Sequence, residues 1–116
     1  MIIDFDMRDE FIGHFQYGRL HGGVISTALD VISALAVVMG TASYHRGESS
    51  DDIMRRFNAL ATIDLRVDYL RQGLGKHFSA EASVVRLGKR VGVTRSSLVN
   101  ESGSLIATGN ASYIVS

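Results

Sequence analysis

The 116-residue chain contains no cysteine. That absence excludes disulfides, thiolate nucleophiles and zinc sites built on Cys ligands. Charge of one sign is lacking too: twelve basic and twelve acidic side chains cancel. No global field therefore draws the chain to nucleic acid or to a membrane surface, and an anionic ligand must be captured by a local patch. The opening residues, Met1-Ile2-Ile3-Asp4-Phe5-Asp6, lack the basic region and apolar stretch of a signal peptide. No repeat or low-complexity tract is visible. These features predict one soluble, cytoplasmic domain over 1–116, with a core modest enough for oligomerisation to matter.

One long apolar run is present, Val24 to Ala42. Asp30 near its middle, with Ser26, Thr27 and Ser33, argues against a membrane span, because a carboxylate at bilayer depth costs several kcal/mol. A buried core helix over about Gly23–Ala42, wrapped by other elements, is the better reading. Ahead of it, residues 2–12 alternate as a strand and residues 13–20 read as a loop. The polar segment 43–58 reads as a solvated loop with a short helical turn capped by Ser50 or Asp51, or else as a lid.

The remainder reads as strands. Residues 61–69 alternate, with Ile63, Leu65, Val67 and Tyr69 on one face and Thr62, Asp64, Arg66 and Asp68 on the other. Strands over 78–87, 91–99 and 105–115 follow, separated by Gly88-Lys89-Arg90 and Asn100-Glu101-Ser102-Gly103. Short turns argue for an antiparallel four-strand meander. An α+β fold, a curved antiparallel sheet around one central helix, satisfies every apolar face at once.

The chemistry concentrates in His21-Gly22-Gly23-Val24-Ile25 and in Asp30. A glycine-rich turn opening a helix presents backbone N–H groups where the dipole favours negative charge and can hold a developing oxyanion. A carboxylate in apolar surroundings is a candidate base or nucleophile. Together they suggest acyl chemistry. Each residue also has a plainer explanation. Gly22 can serve backbone freedom near a cap, Asp30 can be a structural acid at an interface, and His21 can satisfy backbone groups.

His-Gly-Gly with Asp30 eight positions after Gly22 resembles the signature of hot-dog acyl-CoA thioesterases of the phenylacetyl-CoA (PaaI-like) branch. Thr62-Ile-Asp-Leu-Arg-Val-Asp-Tyr-Leu-Arg, Leu87-Gly-Lys-Arg and Ser102-Gly-Ser-Leu-Ile-Ala agree, so the likeness covers roughly 5–115. The resemblance implies a hot-dog fold and hydrolysis of acyl-CoA. It places His21 near the thioester carbonyl and Thr62 beside a nucleophilic water; on pattern alone Thr62 is an ordinary strand residue. Asp30 either attacks the carbonyl or activates water. Relatives often carry Asn in the loop before His-Gly-Gly; here His14 or Gln16 must substitute, or that contact is absent. The acyl tunnel is expected to draw on side chains of both subunits, among them Phe15, Tyr17, Ile32, Leu35, Ala36 and Met39.

Eight helical residues put Gly22 and Asp30 ~12 Å apart along the axis and about 80° apart around it. One acyl carbon cannot touch both within a single chain, so joint action requires Asp30 to serve the Gly22 of a second copy. A two-fold homodimer with antiparallel central helices follows, with pairing of dimers left open. The phosphates of CoA need Arg, Lys or N–H donors. Lys89 and Arg90 are the first candidates and Arg71 and Lys76 the next, with Gly23 also at the substrate; as solvated turn charges these cations need no function. His45 and His77 show no ligand-spaced partner, and neither a metal nor a separate cofactor is expected. Two rivals remain on the same fold: a protein that binds acyl-CoA or acyl-carrier thioesters without hydrolysing them, and a hydratase or dehydratase.

Overall fold

A computed structural model describes residues 1–14 and 18–115, the side chain of His14 excepted. β1 (Ile2–Asp6) leads through a 3-10 turn (Asp9–Phe11) to the short pair β2 (Ile12–His14) and β3 (Arg19–Leu20). Helix α1 (Gly22–Tyr44) and the shorter α2 (Ser50–Asn58) follow, then β4 (Ala61–Tyr69), β5 (His77–Leu87), β6 (Val91–Asn100) and β7 (Leu105–Ile114). The five long strands form one antiparallel sheet in the order β1-β5-β6-β7-β4. With α1 packed on one face, this is the expected hot-dog arrangement.

The core shows why these residues fold so. Leu29, Ile32 and Val37 project from one side of α1 and are fully buried, as are Phe78, Ala80, Leu98, Ile106 and Ala107 on the strands. Small residues line the middle of the sheet where the helix approaches. A Cβ at Gly109 would stand 3.3 Å from the Leu29 side chain and closer still to Ser96. Gly109 therefore sets how deeply α1 sits.

Four expectations need correction. The first strand ends at Asp6, because the chain turns at Arg8, whose carbonyl accepts the Phe11 N–H at 2.9 Å. Phe11 is thereby folded back edge-on against Phe5, which stacks on Phe78. Residues 13–20 are not wholly loop, since Ile12 pairs with Leu20 and His14 with Arg19. The polar segment holds a nine-residue helix, α2, capped by Ser49, whose hydroxyl accepts the Asp52 N–H. Asp51 and Asp52 in its first turn and Arg55 and Arg56 in its last complement the helix dipole.

The fourth concerns the strand order. Only β5-β6-β7 form a meander; β4 lies beyond β7 at the sheet edge. The connection over 70–76 is therefore a crossover rather than a hairpin. It passes against Leu20, where a Cβ at Gly73 would be 2.8 Å from the Leu20 side chain. α1 is also not wrapped on all sides by its own chain. Val31, Leu35 and Met39, four residues apart, are 45%, 38% and 57% exposed. By length and composition α1 could cross a membrane, but its buried side is a core face seated on the sheet.

Candidate active site

His21 is the N-cap of α1, its ring nitrogen taking the acceptor role that Ser, Thr, Asp or Asn oxygens usually fill. Its Nδ1 accepts the Gly23 N–H at 2.9 Å, and its carbonyl accepts the Val24 and Ile25 N–H groups. Gly22 is left as the one amide at the helix start without a partner among the described residues. A free N–H on the positive end of a 23-residue helix is a donor poised for a carbonyl oxygen or an oxyanion.

The two glycines differ in what they need. A Cβ at position 23 would crowd His21 Nδ1 at 3.2 Å, so Gly23 serves the cap. At Gly22 it would meet only the Tyr69 ring, at an ordinary 3.6 Å. The chain's own packing does not require a glycine there. Tyr69 also donates from its hydroxyl to the Gly22 carbonyl at 3.1 Å, fixing the turn against β4.

Because Nδ1 accepts, the neutral His21 ring carries its proton on Nε2. The imidazole borders an apolar groove of about 440 Å³ with Gly23, Val24, Ile3, Phe5 and Phe11. Here the tunnel expectation fails for Ile32 and Ala36, which are sealed in the core; Leu35 and Met39 lie on the exposed stripe of α1. Phe15 and Tyr17 lie outside the described residues, as do Gln16 and the side chain of His14.

Asp30 sits eight residues along α1 from Gly22, ~12 Å at the rise of an α-helix. It is half-buried rather than enclosed, and it is not alone. The Tyr113 hydroxyl donates to Asp30 Oδ1 at 2.7 Å and stands 3.0 Å from the Asp30 carbonyl. Thr62 Oγ1 donates to the same Oδ1 at 3.3 Å. Burial, then its bond to the Asp30 carboxylate, push the Tyr113 phenol far above its ordinary range, so it stays a donor. Both hydroxyls converge on Oδ1, leaving Oδ2 as the oxygen neither engages.

Thr62 reaches Asp30 through an irregularity in β4. Thr62 pairs with Tyr113 and Asp64 with Ser112, so Ile63 is an extra residue in the ladder. A bulge flips side-chain parity. Thr62 thus shares the helix-facing side with Leu65 and Val67, contrary to unbroken alternation, and Ile63 becomes 52% exposed.

The cationic candidates separate. Lys89 and Arg90 border a larger pocket of about 810 Å³ at the C-terminal end of α1, with Arg56 and Arg86. Arg71 lies in the crossover at the other end, where it donates to the Leu105 carbonyl at 2.9 Å. Among the described residues no group of three or more His, Asp or Glu converges as a metal site would. Tyr113 was missed from sequence, although an inward-facing tyrosine must find a polar partner. Tyr69 and Arg56 carried no such signal.

The thioesterase superfamily profile matches residues 17–107, most of the chain. The chain belongs to the thioesterase superfamily. Among curated superfamily relatives, the medium/long-chain acyl-CoA thioesterase YigI of Salmonella typhimurium is 42% identical over 111 residues, 96% of this chain and 72% of the relative. The YigI of Escherichia coli K12 is 44% identical over 104 residues, 90% of this chain and 67% of its own length. A solved Shewanella oneidensis protein related to the thioesterase superfamily superposes with a TM-score of 0.95 at 40% identity. That alignment covers 99% of this chain and 75% of the other.

Proposed function

We propose that the chain hydrolyses acyl-CoA thioesters at sites shared by two copies, as its PaaI-like motif suggests. The observation that carries this reading is the pairing of an open Gly22 amide with a carboxylate positioned by Thr62 and Tyr113. The carbonyl oxygen of the thioester accepts from the Gly22 N–H and, on its other side, from His21 Nε2–H. Asp30 then drives attack on the carbonyl carbon, either directly or by taking a proton from water. On the direct route, breaking the C–S bond leaves a mixed anhydride on Asp30, which a water then hydrolyses; on the other, the water's hydroxide adds to the carbonyl and the C–S bond breaks as the adduct collapses. On both, a proton from that water passes to the departing sulfur, CoA leaves as its thiol, and the acyl group is released as a carboxylate. Helix-terminus donors aimed at the developing oxyanion supply the larger part of the stabilisation.

A second copy is needed because Gly22 and Asp30 of one chain are too far apart to touch one carbon. Two features support such pairing. β4 is an edge strand, bonded only to β7, with one backbone edge open to another strand. The same strand holds Tyr69 against Gly22 and Thr62 against Asp30. Beside it runs the exposed apolar stripe Val31-Leu35-Met39, which a second antiparallel α1 would cover.

The apolar groove beside His21 suits a medium or long acyl chain, the substrate named for the YigI relatives. A CoA substrate in turn favours the cytoplasm, and further pairing of dimers is left to the exposed sheet face.

The first test is thiol release from an acyl-CoA panel, wild type against Asp30→Asn. A fall of ~100-fold, about 2.7 kcal/mol of transition-state stabilisation, supports the assignment. Unchanged turnover removes it, and binding without release by the wild type favours a carrier role. Mixing Asp30→Asn with Gly22→Val tests the shared site. Asp30→Asn lacks the carboxylate and Gly22→Val sets a branched side chain where the thioester carbonyl must approach the amide, so each alone is slow; a mixed dimer holds one intact site, restoring about a quarter of wild-type activity by random pairing.

A further inference from the structure

Three side-chain hydroxyls are buried without a hydrogen bond among the described residues: Ser33 on α1, and Thr94 and Ser96 on β6. A buried hydroxyl left unpaired is costly, so each calls for a reason. Ser33 stands out within its own helix. Ser26 and Thr27, two turns earlier, both donate back to the Gly23 carbonyl, at 3.1 and 2.7 Å. That back-bond is the ordinary outlet for a hydroxyl inside a helix, and Ser33, fully buried, does not make it.

The packing of α1 on the sheet locates Ser33. A Cβ at Gly109, the partner of Ser96, would stand 3.3 Å from the Leu29 side chain, and one at Gly92 would stand 3.3 Å from Val37. Leu29 and Val37 are eight helical residues apart, about 12 Å. Gly92 and Ser96 are four strand residues apart, about 13 Å. The spans agree, so their midpoints coincide. Ser33 stands over Thr94, which is the next residue on that face of β6 after the pairing of Gly92 with Tyr113.

Tyr113 offers Ser33 an acceptor. The single phenolic proton stands between two oxygens of Asp30, Oδ1 at 2.7 Å and the main-chain carbonyl at 3.0 Å. In an α-helix the carbonyls point toward the C-terminus and the side chains lean toward the N-terminus. The Asp30 carbonyl therefore faces the turn that carries Ser33, and Ser33 leans back toward it and toward the Tyr113 oxygen alongside. Burial and the Asp30 carboxylate push the Tyr113 phenol up, and Ser33 alone draws it down, as a donor to its oxygen does. The approach is looser than a full hydrogen bond, a common condition around a catalytic group before substrate is bound.

We propose that Ser33 is a positioning residue for the hydrolysis: its hydroxyl donates to the Tyr113 oxygen from the carbonyl side and turns the phenolic proton onto Asp30 Oδ1. A hydroxyl that accepts one hydrogen bond is the stronger donor in the next. The chain from Ser33 through Tyr113 thus holds Oδ1 and leaves Oδ2 to act. The role rests on the hydrolase reading; the contact between Ser33 and Tyr113 does not.

Ser33→Ala deletes one oxygen at a helix position that alanine suits. Made in the wild type and in Tyr113→Phe, it gives a double-variant cycle, read in decanoyl-CoA kinetics and in melting temperature. In the wild type kcat is expected to fall about 3- to 10-fold, with KM within about threefold and a lower melting temperature. In Tyr113→Phe, where Ser33 has no phenol to meet, the same change moves kcat less than about twofold and does not lower the melting temperature. An equal fall in kcat in both backgrounds shows Ser33 acting apart from Tyr113 and overturns the proposal. An unchanged kcat in the wild type overturns it too, whether Ser33→Ala melts lower or, as removal of an unpaired hydroxyl would, higher. A wild type that releases no thiol removes the hydrolase reading and the positioning role with it, and the melts then decide the contact alone. A shift that Tyr113→Phe abolishes upholds the contact; equal shifts in both backgrounds overturn it.

Discussion

Tyr113 on the last strand donates its hydroxyl to Asp30 on the central helix, 83 residues away in sequence, at 2.7 Å. The tyrosine is fully buried and the aspartate is not. The sheet therefore fixes one carboxylate oxygen from beneath and presents the other outward. This arrangement relieves the difficulty of an acid in an apolar helix: the acid is partly solvated and doubly hydrogen-bonded, so its oxygens are not left buried and unpaired.

Tyr113→Phe keeps the ring and removes the donor. A hydrogen bond to a charged group contributes about 1.5–3 kcal/mol, so a fall in kcat of roughly 10- to 100-fold is expected where the bond orients Asp30 for attack. Because Tyr113 does not line the acyl groove, KM for a decanoyl-CoA substrate stays within about threefold. An equal loss in kcat and in affinity, or a protein that no longer melts cooperatively, would show Tyr113 to be structural only.

Thr62 contributes less. Its bond to Asp30 is longer, 3.3 Å, and exposed, so Thr62→Val is expected to lower kcat by only about 3- to 10-fold, the effect of a net hydrogen bond of ~1 kcal/mol. Thr62→Ser retains the hydroxyl and restores most of the rate. Steady-state kinetics on the pair, with melting temperatures alongside, separates loss of the hydroxyl from loss of packing: a Ser variant as slow as the Val variant rejects a role for the hydroxyl.

How much of this was legible before any coordinates depended on whether the signal was local. α1 differed from its expected bounds by one residue at its start and two at its end, and β4 matched over 61–69, because apolar periodicity and cap chemistry lie in contiguous sequence. The His21-Gly22-Gly23 turn and Asp30 stood out for the same reason. What was not legible were relations between distant segments. β4 pairs with β7 rather than β5, since nothing in a seven-residue connection distinguishes a crossover from a wide turn. The bulge at Ile63 reversed the facing of Thr62, and alternation alone cannot register one inserted residue. Nor could sequence show Arg56 bordering the same pocket as Lys89 and Arg90, because α2 is placed by tertiary packing.

The capping of α1 by His21 and its proposed donation to the thioester carbonyl can be separated by substitution. His21→Ala removes the cap on the Gly23 N–H and is expected to lower stability by ~1 kcal/mol, read as a fall in melting temperature. His21→Asn restores a good cap acceptor without the imidazole Nε2–H. If the ring donates to the thioester carbonyl, His21→Asn melts near the wild-type temperature yet loses about tenfold or more in kcat/KM. Full activity in that variant would confine His21 to capping the helix.

The pH dependence of stability is set in part by the junction of β1 and β5, far from the site. His77 Nδ1 lies 2.8 Å from Asp6 Oδ1, and its Nε2 lies 4.0 Å from Asp4. The Asp6 hydrogen bond, with the charges of Asp6, Asp4 and Glu101, raises the His77 pKa above its ordinary 6.5. A group whose pKa is raised on folding binds protons more tightly when native. Its contribution is therefore complete below pH 6.5 and is lost as pH rises through the raised value. Glu101 works in the opposite sense. Hydrogen bonds from the backbone N–H groups at its own position and of His77 and Lys76 lower its pKa below 4.5, so its contribution is lost on acidification below that point. These exposed groups predict a shallow decline in melting temperature as the pH rises above 6.5 through the raised value. Replacing His77 with Gln should flatten that decline while leaving the acid side unchanged. Thermal melts of both proteins across pH 4 to about 9 check it, and an identical decline in the His77→Gln variant would place the dependence on another group.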